Sequence, residues 1–351
     1  MQNKLLNSNS TNPKKLFSGP DHISFDIRPF NPSKNDIEEL CLFFSIGKLK
    51  CFQKEKDIII SHSNFFIFVE TTSGQYALKF YPIQHNQILM FEHTINRLLL
   101  THHFSTPKMY VGKNGKPFLI SNNRLASCFS YIKSQQAWTE INQKNIIKKI
   151  NTEMFTLKKI LKLHLKTVPF RKAENLMSKI TNLTKKSQTL GTYDQKKLIT
   201  ASLKAVCQTY QHNLSLFSRQ HIHNNSNLAN FLISKETIYT LDLSHICEDY
   251  SLSDLSSLIT SCLLLSVPKK TIRTLVHDYF IQHKIPLELP VLDTLIQIEL
   301  IQKFLLCLHR LKSIDFSAYE KNFADSYQSY LSNHMLLISR LLQPQSLNYL
   351  T

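Results

Sequence analysis

The chain has 351 residues, 42% of them hydrophobic and 10% aromatic, enough for a sizeable core in one bilobal protein or two medium domains. Lys and Arg outnumber Asp and Glu by 42 to 25, a net charge of +17 that favours anionic ligands and disfavours polycationic ones. Seven scattered cysteines (Cys41, Cys51, Cys128, Cys207, Cys247, Cys262 and Cys307) exclude zinc spacing and a small disulfide framework, and point to reduced, buried thiols in a cytoplasmic protein.

Residues 1–22 are rich in Asn, Ser and Lys and read as a disordered tail. They hold no apolar run of signal-peptide length, and later runs such as Ser261 to Val267 are too short to span a bilayer. Ser33 to Phe44 reads as a helix, with Ser33 as N-cap and Ile37, Leu40, Cys41 and Phe44 on one face. The pattern then becomes strand-like. Asp57 to Ile60, Phe65 to Glu70 and Gln75 to Tyr81 are β-branched and aromatic runs, the last two joined by a turn at Thr71-Thr-Ser-Gly74. Ile88 to Leu100 returns to helical spacing. Lys108 to Val111 and Lys116 to Ile120 read as a hairpin turning at Lys113-Asn-Gly115, and Arg124 to Ile132 as a strand. Beyond Trp138 the pattern is helical: Asn145 to Lys166, Leu198 to Phe217, Leu252 to Leu265, Lys270 to Gln282, Pro290 to Leu311 and Tyr319 to Leu342. Strands followed by helices make an α+β layout in two lobes.

Two separated segments carry chemistry. In the first, Tyr76-Ala-Leu-Lys79 lies on a strand after a hairpin turn, and Glu92 lies on the next helix. This arrangement is similar to that of kinase-type folds, in which a lysine on such a strand grips nucleotide phosphates and a helical carboxylate holds it. The second reads His221-Ile-His223-Asn-Asn225-Ser-Asn-Leu-Ala-Asn230, then Leu241-Asp242-Leu243, then Asp254-Leu255.

Together these residues resemble the aminoglycoside phosphotransferase, choline kinase and homoserine kinase-like superfamily, over about residues 30 to 312. Ser45 to Leu49 and Val69 to Leu78 are most similar to the homoserine kinase-like branch; Asp249 to Leu258 also resembles spore-coat kinase-like members. The resemblance implies a protein kinase-like bilobal fold: a small antiparallel β-sheet N-lobe at 23–134 and a mainly helical C-lobe at 135–345. It implies ATP and Mg2+ as cofactors and phosphorylation of a small-molecule hydroxyl. By it, Lys79 and Glu92 position phosphates, Ser61 and Ser63 lie in the phosphate-covering loop, and Phe129, Tyr131 and Ile132 form the hinge beside adenine. His223 braces the catalytic loop. Asn230 and Asp242 would hold the metal, and Asp254 would cap and brace the next helix.

Two positions depart from the family pattern. Where the family has His-Gly-Asp, this chain has His223-Asn224-Asn225. The aspartate accepts the substrate proton, whereas an amide offers one acceptor oxygen and an NH2 donor. Asn225 therefore implies slow transfer, or a pseudokinase that binds nucleotide or a protein partner without turnover. Asn224 in place of glycine is expected to crowd the turn. The loop Ser61-His-Ser-Asn64 also lacks glycine, which permits the closest approach of backbone to phosphate. Lys144 to Lys186 carries twelve basic and two acidic residues, and reads as the solvated face of packed helices. Without Arg–Gly repeats, zinc spacing or an RNA-module signature, nucleic acid is not an expected partner.

Overall fold

The computed structural model describes residues 32–54, 65–133, 135–136, 144–164, 168, 170–213, 216–284, 288–314, 317 and 321–343. The tail at 1–22, the strand expected at Asp57 to Ile60, and the loop residues Ser61 and Ser63 lie outside them.

The chain opens with α1 (Lys34–Phe43), which Ser33 starts through a reciprocal capping box with Asp36. Ile37, Leu40 and Cys41 are buried against the sheet. β1 (Leu49–Lys54), β2 (Phe65–Thr71) and β3 (Gly74–Pro82) follow, then α2 (Asn86–Thr101), β4 (Leu119–Ser121) and β5 (Arg124–Ser130). They form a five-stranded antiparallel sheet in the order β1-β2-β3-β5-β4. One face covers a core of Ile37, Leu40, Phe44, Ile67, Val69, Leu78, Phe80 and Cys128.

The helical part begins after β6 (Gln135–Gln136). It comprises α3 (Lys144–Leu163), β7 (Arg171–Lys172), α4 (Leu176–Leu190), α5 (Tyr193–His212), β8 (Arg219–Ile222), β9 (Phe231–Ser234), β10 (Thr237–Thr240), β11 (Cys247–Tyr250), α6 (Ser253–Leu264), α7 (Lys269–His283), α8 (Leu289–Ser313) and α9 (Lys321–Leu341). α8 is buried along most of its length, and the largest core gathers around it and α6. The architecture is the α+β bilobal one expected. None of the described helices is long and apolar enough to cross a membrane.

Several details differ from the sequence reading: α4 and the short strands β6 to β11 were not expected. No strand was expected at Leu49–Lys54, because Lys50, Gln53 and Lys54 obscure the apolar period; as an edge strand it exposes Lys50 and Gln53. The hairpin expected around Lys113-Asn-Gly115 is a tight turn, closed by Gly112 N–H on the Lys116 carbonyl. Gly112 is required there because the Phe43 ring occupies the place of a Cβ. The hairpin proper joins β4 to β5 through Asn122 and Asn123, both left-handed at φ 48° and 59°. Paired positive φ values suit the right-handed twist of adjacent strands, and Asn tolerates them. Asn123→Val should therefore cost about 1–2 kcal/mol in chemical denaturation while Asn123→Gly is close to neutral.

The lobes are joined covalently just after β5. Tyr131 N–H bonds the Gln75 carbonyl, the Ser234 hydroxyl bonds the Lys133 carbonyl, and β6 pairs with β9. A separate apolar seam unites Ile95 and Leu99 of α2, Leu157, Ile160 and Leu161 of α3, and Leu243 and Ile246.

Candidate active site

The catalytic-type loop hangs from a buried carboxylate. Asp254, at the start of α6 and 0% exposed, accepts His223 N–H (3.1 Å), Asn224 N–H (2.8 Å) and the Ser226 hydroxyl (2.9 Å). Asn224 takes φ +60°, the left-handed conformation that glycine supplies elsewhere. The expected crowding does not arise, because Asn enters that region readily and its side chain is only half-buried. His223 is 1% exposed and its Nε2 bonds the Leu241 carbonyl at 2.8 Å, so Nε2 carries the proton. Its ring ties the loop to the strand that leads to Asp242.

β9 and β10 form a hairpin that brings two distant positions together. Asn230 precedes β9, Asp242 follows β10, and Leu241 N–H bonds the Asn230 carbonyl at 2.9 Å. Asp242 is left-handed, at φ 57°. Its Oδ1 accepts from Lys79 Nζ at 3.0 Å and the Ser244 hydroxyl at 3.1 Å; its Oδ2 accepts from Asn225 Nδ2 at 3.0 Å and lies 3.5 Å from His245 Nε2.

Lys79 and Asp242 form the ion pair that crosses between the lobes. Burial by itself would raise the Asp242 carboxyl, but Lys79, His245 and His223 outweigh it and hold it well below the usual carboxylate range. Burial likewise pulls Lys79 down, but Asp242 and Glu92 together leave it above its ordinary value. The lysine was expected to pair with Glu92. Instead its hydrogen bond goes to Asp242, and Glu92, 2% exposed, accepts from the Tyr81 hydroxyl at 3.0 Å. Burial raises the Glu92 carboxyl despite the nearby lysine. Lys79 Nζ also lies 4.7 Å from the Tyr81 ring centre and 5.6 Å from that of Phe66.

Asn225 is held at both ends. Its backbone carbonyl accepts Asn230 Nδ2 at 2.7 Å, and its Oδ1 accepts Asn227 Nδ2 at 2.7 Å. Asn230 thus commits its NH2 to the loop, which leaves its amide oxygen as the end suited to a cation. A carboxylate and an amide oxygen are the donor types that Mg2+ or Ca2+ takes. Among the described residues, no group of three or more His, Cys, Asp or Glu converges as a metal cluster.

Phe129, Tyr131 and Ile132, expected as a hinge, lie at the end of β5 and just beyond it. Phe129 pairs with Ala77 in register, two positions along from the Lys79–Ser127 pair, so these residues share one face. Tyr131 is 36% exposed, with its ring 5.3 Å from that of Phe68, and Ile132 is half-buried.

No family model matches the sequence, and no curated protein matches it. Solved structures do. An amicoumacin kinase in complex with AMP-PNP and Ca2+ aligns with a TM-score of 0.67 and 14% identity, over 92% of this chain and 98% of that one. An aminoglycoside phosphotransferase from Alicyclobacillus acidocaldarius aligns at 0.56 and 11% identity, over 91% and 97%. The chain has the aminoglycoside phosphotransferase fold. A microcompartment-associated aminopropanol kinase shares that fold at a TM-score of 0.61 and 13% identity, over 90% of this chain and all of that one. At this identity the likeness concerns architecture.

Within this fold, sequence reasoning overlooked Tyr81, Ser244, His245 and Asn227. Only His245, three residues from Asp242, carried a recognisable signal. The Asp242 pairing makes two stability predictions. Lys79→Met, which leaves buried carboxylates without their cation, should cost about 3–5 kcal/mol in urea unfolding. Asp254→Ala, which strands three donors, should cost a similar amount and raise amide exchange from His223 to Ser226; exchange unchanged there would refute its role as the loop anchor.

Proposed function

We propose that this chain is a phosphotransferase-like protein that binds ATP between its lobes and acts on a small-molecule hydroxyl, with transfer slowed by Asn225. The observation that carries this reading is the Lys79–Asp242 ion pair, which joins the phosphate-gripping strand to the metal-type loop in one buried cluster. Lys79 has three N–H donors and spends one on Asp242, so others remain for phosphate oxygens. Ala77 and Phe129 offer an apolar surface for adenine beside the hinge at Tyr131 and Ile132. Asn230 and Asp242 stand where the resemblance places the cation ligands, but Asn225 turns its NH2 onto Asp242 Oδ2, so charge on the nucleotide phosphates falls first to Lys79.

Asn225 occupies the position of the family's base. Phosphoryl transfer rests mostly on positioning and charge, and a general base adds about 10²–10⁴-fold. Binding is thus expected to survive while turnover suffers. The acceptor should be neutral or anionic, since a chain of net charge +17 repels a polycation.

A second reading, a pseudokinase, is favoured by one specific contact. The Asn225 amide turns its NH2 to Asp242 and receives Asn227 on its oxygen, so each end of the side chain has a partner within the protein. One pair of experiments separates the readings. ATP with Mg2+ should raise the melting temperature of the native chain; the absence of any shift would sink both. Against a panel of small hydroxyl acceptors, Asn225→Asp should raise kcat by about 10²–10⁴-fold over the native chain. No gain would show that Asn225 is not what limits transfer, and brisk native turnover would dismiss the pseudokinase.

A further inference from the structure

We infer that Asn225 is a built-in substitute for the divalent cation, so that the cleft binds nucleotide without metal. The inference rests on reading the Lys79 cleft as the nucleotide site, and it concerns the requirement for the ion.

A carboxylate has about four lone-pair sites on its two oxygens. Asp242 accepts three hydrogen bonds, from Lys79 and Ser244 on Oδ1 and from Asn225 on Oδ2, and the His245 ring stands 3.5 Å from Oδ2. A hard cation would need to sit about 2.0–2.6 Å from one of those oxygens. On Oδ2 it would meet the Asn225 NH2, whose hydrogens repel a cation.

Rotation of the amide cannot relieve this, because a chain of hydrogen bonds sets its direction. Ala229 N–H is a backbone donor, and it bonds Asn227 Oδ1 at 3.0 Å. Asn227 must then present its NH2, which bonds Asn225 Oδ1 at 2.7 Å. Asn225 must in turn present its own NH2, which bonds Asp242 Oδ2 at 3.0 Å. Each assignment follows from the previous one, and the first is unambiguous. The opposite orientation would set NH2 against NH2 at one end and a carbonyl oxygen against a carboxylate at the other.

An aspartate at 225 would behave differently. It would place a second carboxylate about 3 Å from Asp242, an arrangement that a proton or a cation must neutralise. Asn225 removes that charge and supplies a donor, so Asp242 is held in position with no ion. Compensation for phosphate charge then falls to the protein. Lys79 has donors to spare for that purpose.

The test compares ATP binding by calorimetry and thermal shift in EDTA and in excess Mg2+. For the native chain the two affinities should agree within about threefold. Asn225→Asp should melt lower than the native chain in EDTA, recover with Mg2+ alone, and bind ATP at least about tenfold more tightly with Mg2+ than without. Asn227→Ala, which frees the Asn225 amide to turn without adding charge, should gain Mg2+ dependence in the same direction. A native chain that responds to ATP only with Mg2+ overturns the inference and leaves the nucleotide reading standing. Equal metal responses in the native chain and Asn225→Asp also overturn it. No response in either buffer removes the nucleotide reading as well. If Asn225→Asp does not fold, the native chain and Asn227→Ala decide.

Discussion

A largely buried carboxylate without partners is costly in a folded protein, and the centre of this molecule is arranged around one, Asp242, whose side chain is 20% exposed. Asp242 draws Lys79 from the sheet, Asn225 from the loop, and Ser244 and His245 from its own turn. Removing the lysine would leave uncompensated charge in a low-dielectric interior. The lobes are therefore locked by electrostatics at the site and by apolar packing of α2 on α3 and Leu243 behind it. The same contacts that stabilise the fold also place the groups to which we assign the proposed nucleotide site.

A second buried carboxylate does related work one layer deeper. Asp254 gathers two backbone N–H groups and a hydroxyl from residues 223 to 226, and so shapes the loop that carries Asn225. Lys158, 7% exposed, lies close enough to Asp254 to interact with its charge and bonds the Tyr279 hydroxyl and the Ser251 carbonyl. Burial lowers this lysine to about 8. The loop thus rests on a braced polar layer beneath it. Substituting amide for acid at 225 changes the chemistry at the surface of that layer and leaves the layer itself intact.

The sequence pattern made much of this legible. Long helices with a strong 3.6-residue period, such as α3 and α9, and the β2–β3 hairpin at its Gly74 turn followed from local physics. The order Lys79, Glu92, His223, Asn230, Asp242 and Asp254 along the chain came from the resemblance. Shorter features escaped: β1, whose edge position permits lysines, and the Asn122-Asn123 turn, which contains no glycine. The basic run from Lys144 also concealed a difference among its members. Lys148 and Lys159 are exposed, whereas Lys158 is buried on the inner side.

What the sequence determined by itself was residue chemistry: an amide at 225, a carboxylate at 242, a lysine on a strand, and a spacing that resembles one family of kinases. Which of these groups touch was decided by the tertiary structure. Spacing suggested that Lys79 belongs to Glu92; packing assigned it to Asp242, 163 residues away, and gave Glu92 to Tyr81. Spacing marked Asn225 as a missing base; the hydrogen-bond chain from Ala229 through Asn227 made its amide a donor to Asp242. The reason is physical. A side chain's type follows from the sequence, but its partner depends on which buried charges and donors the folded chain must satisfy together.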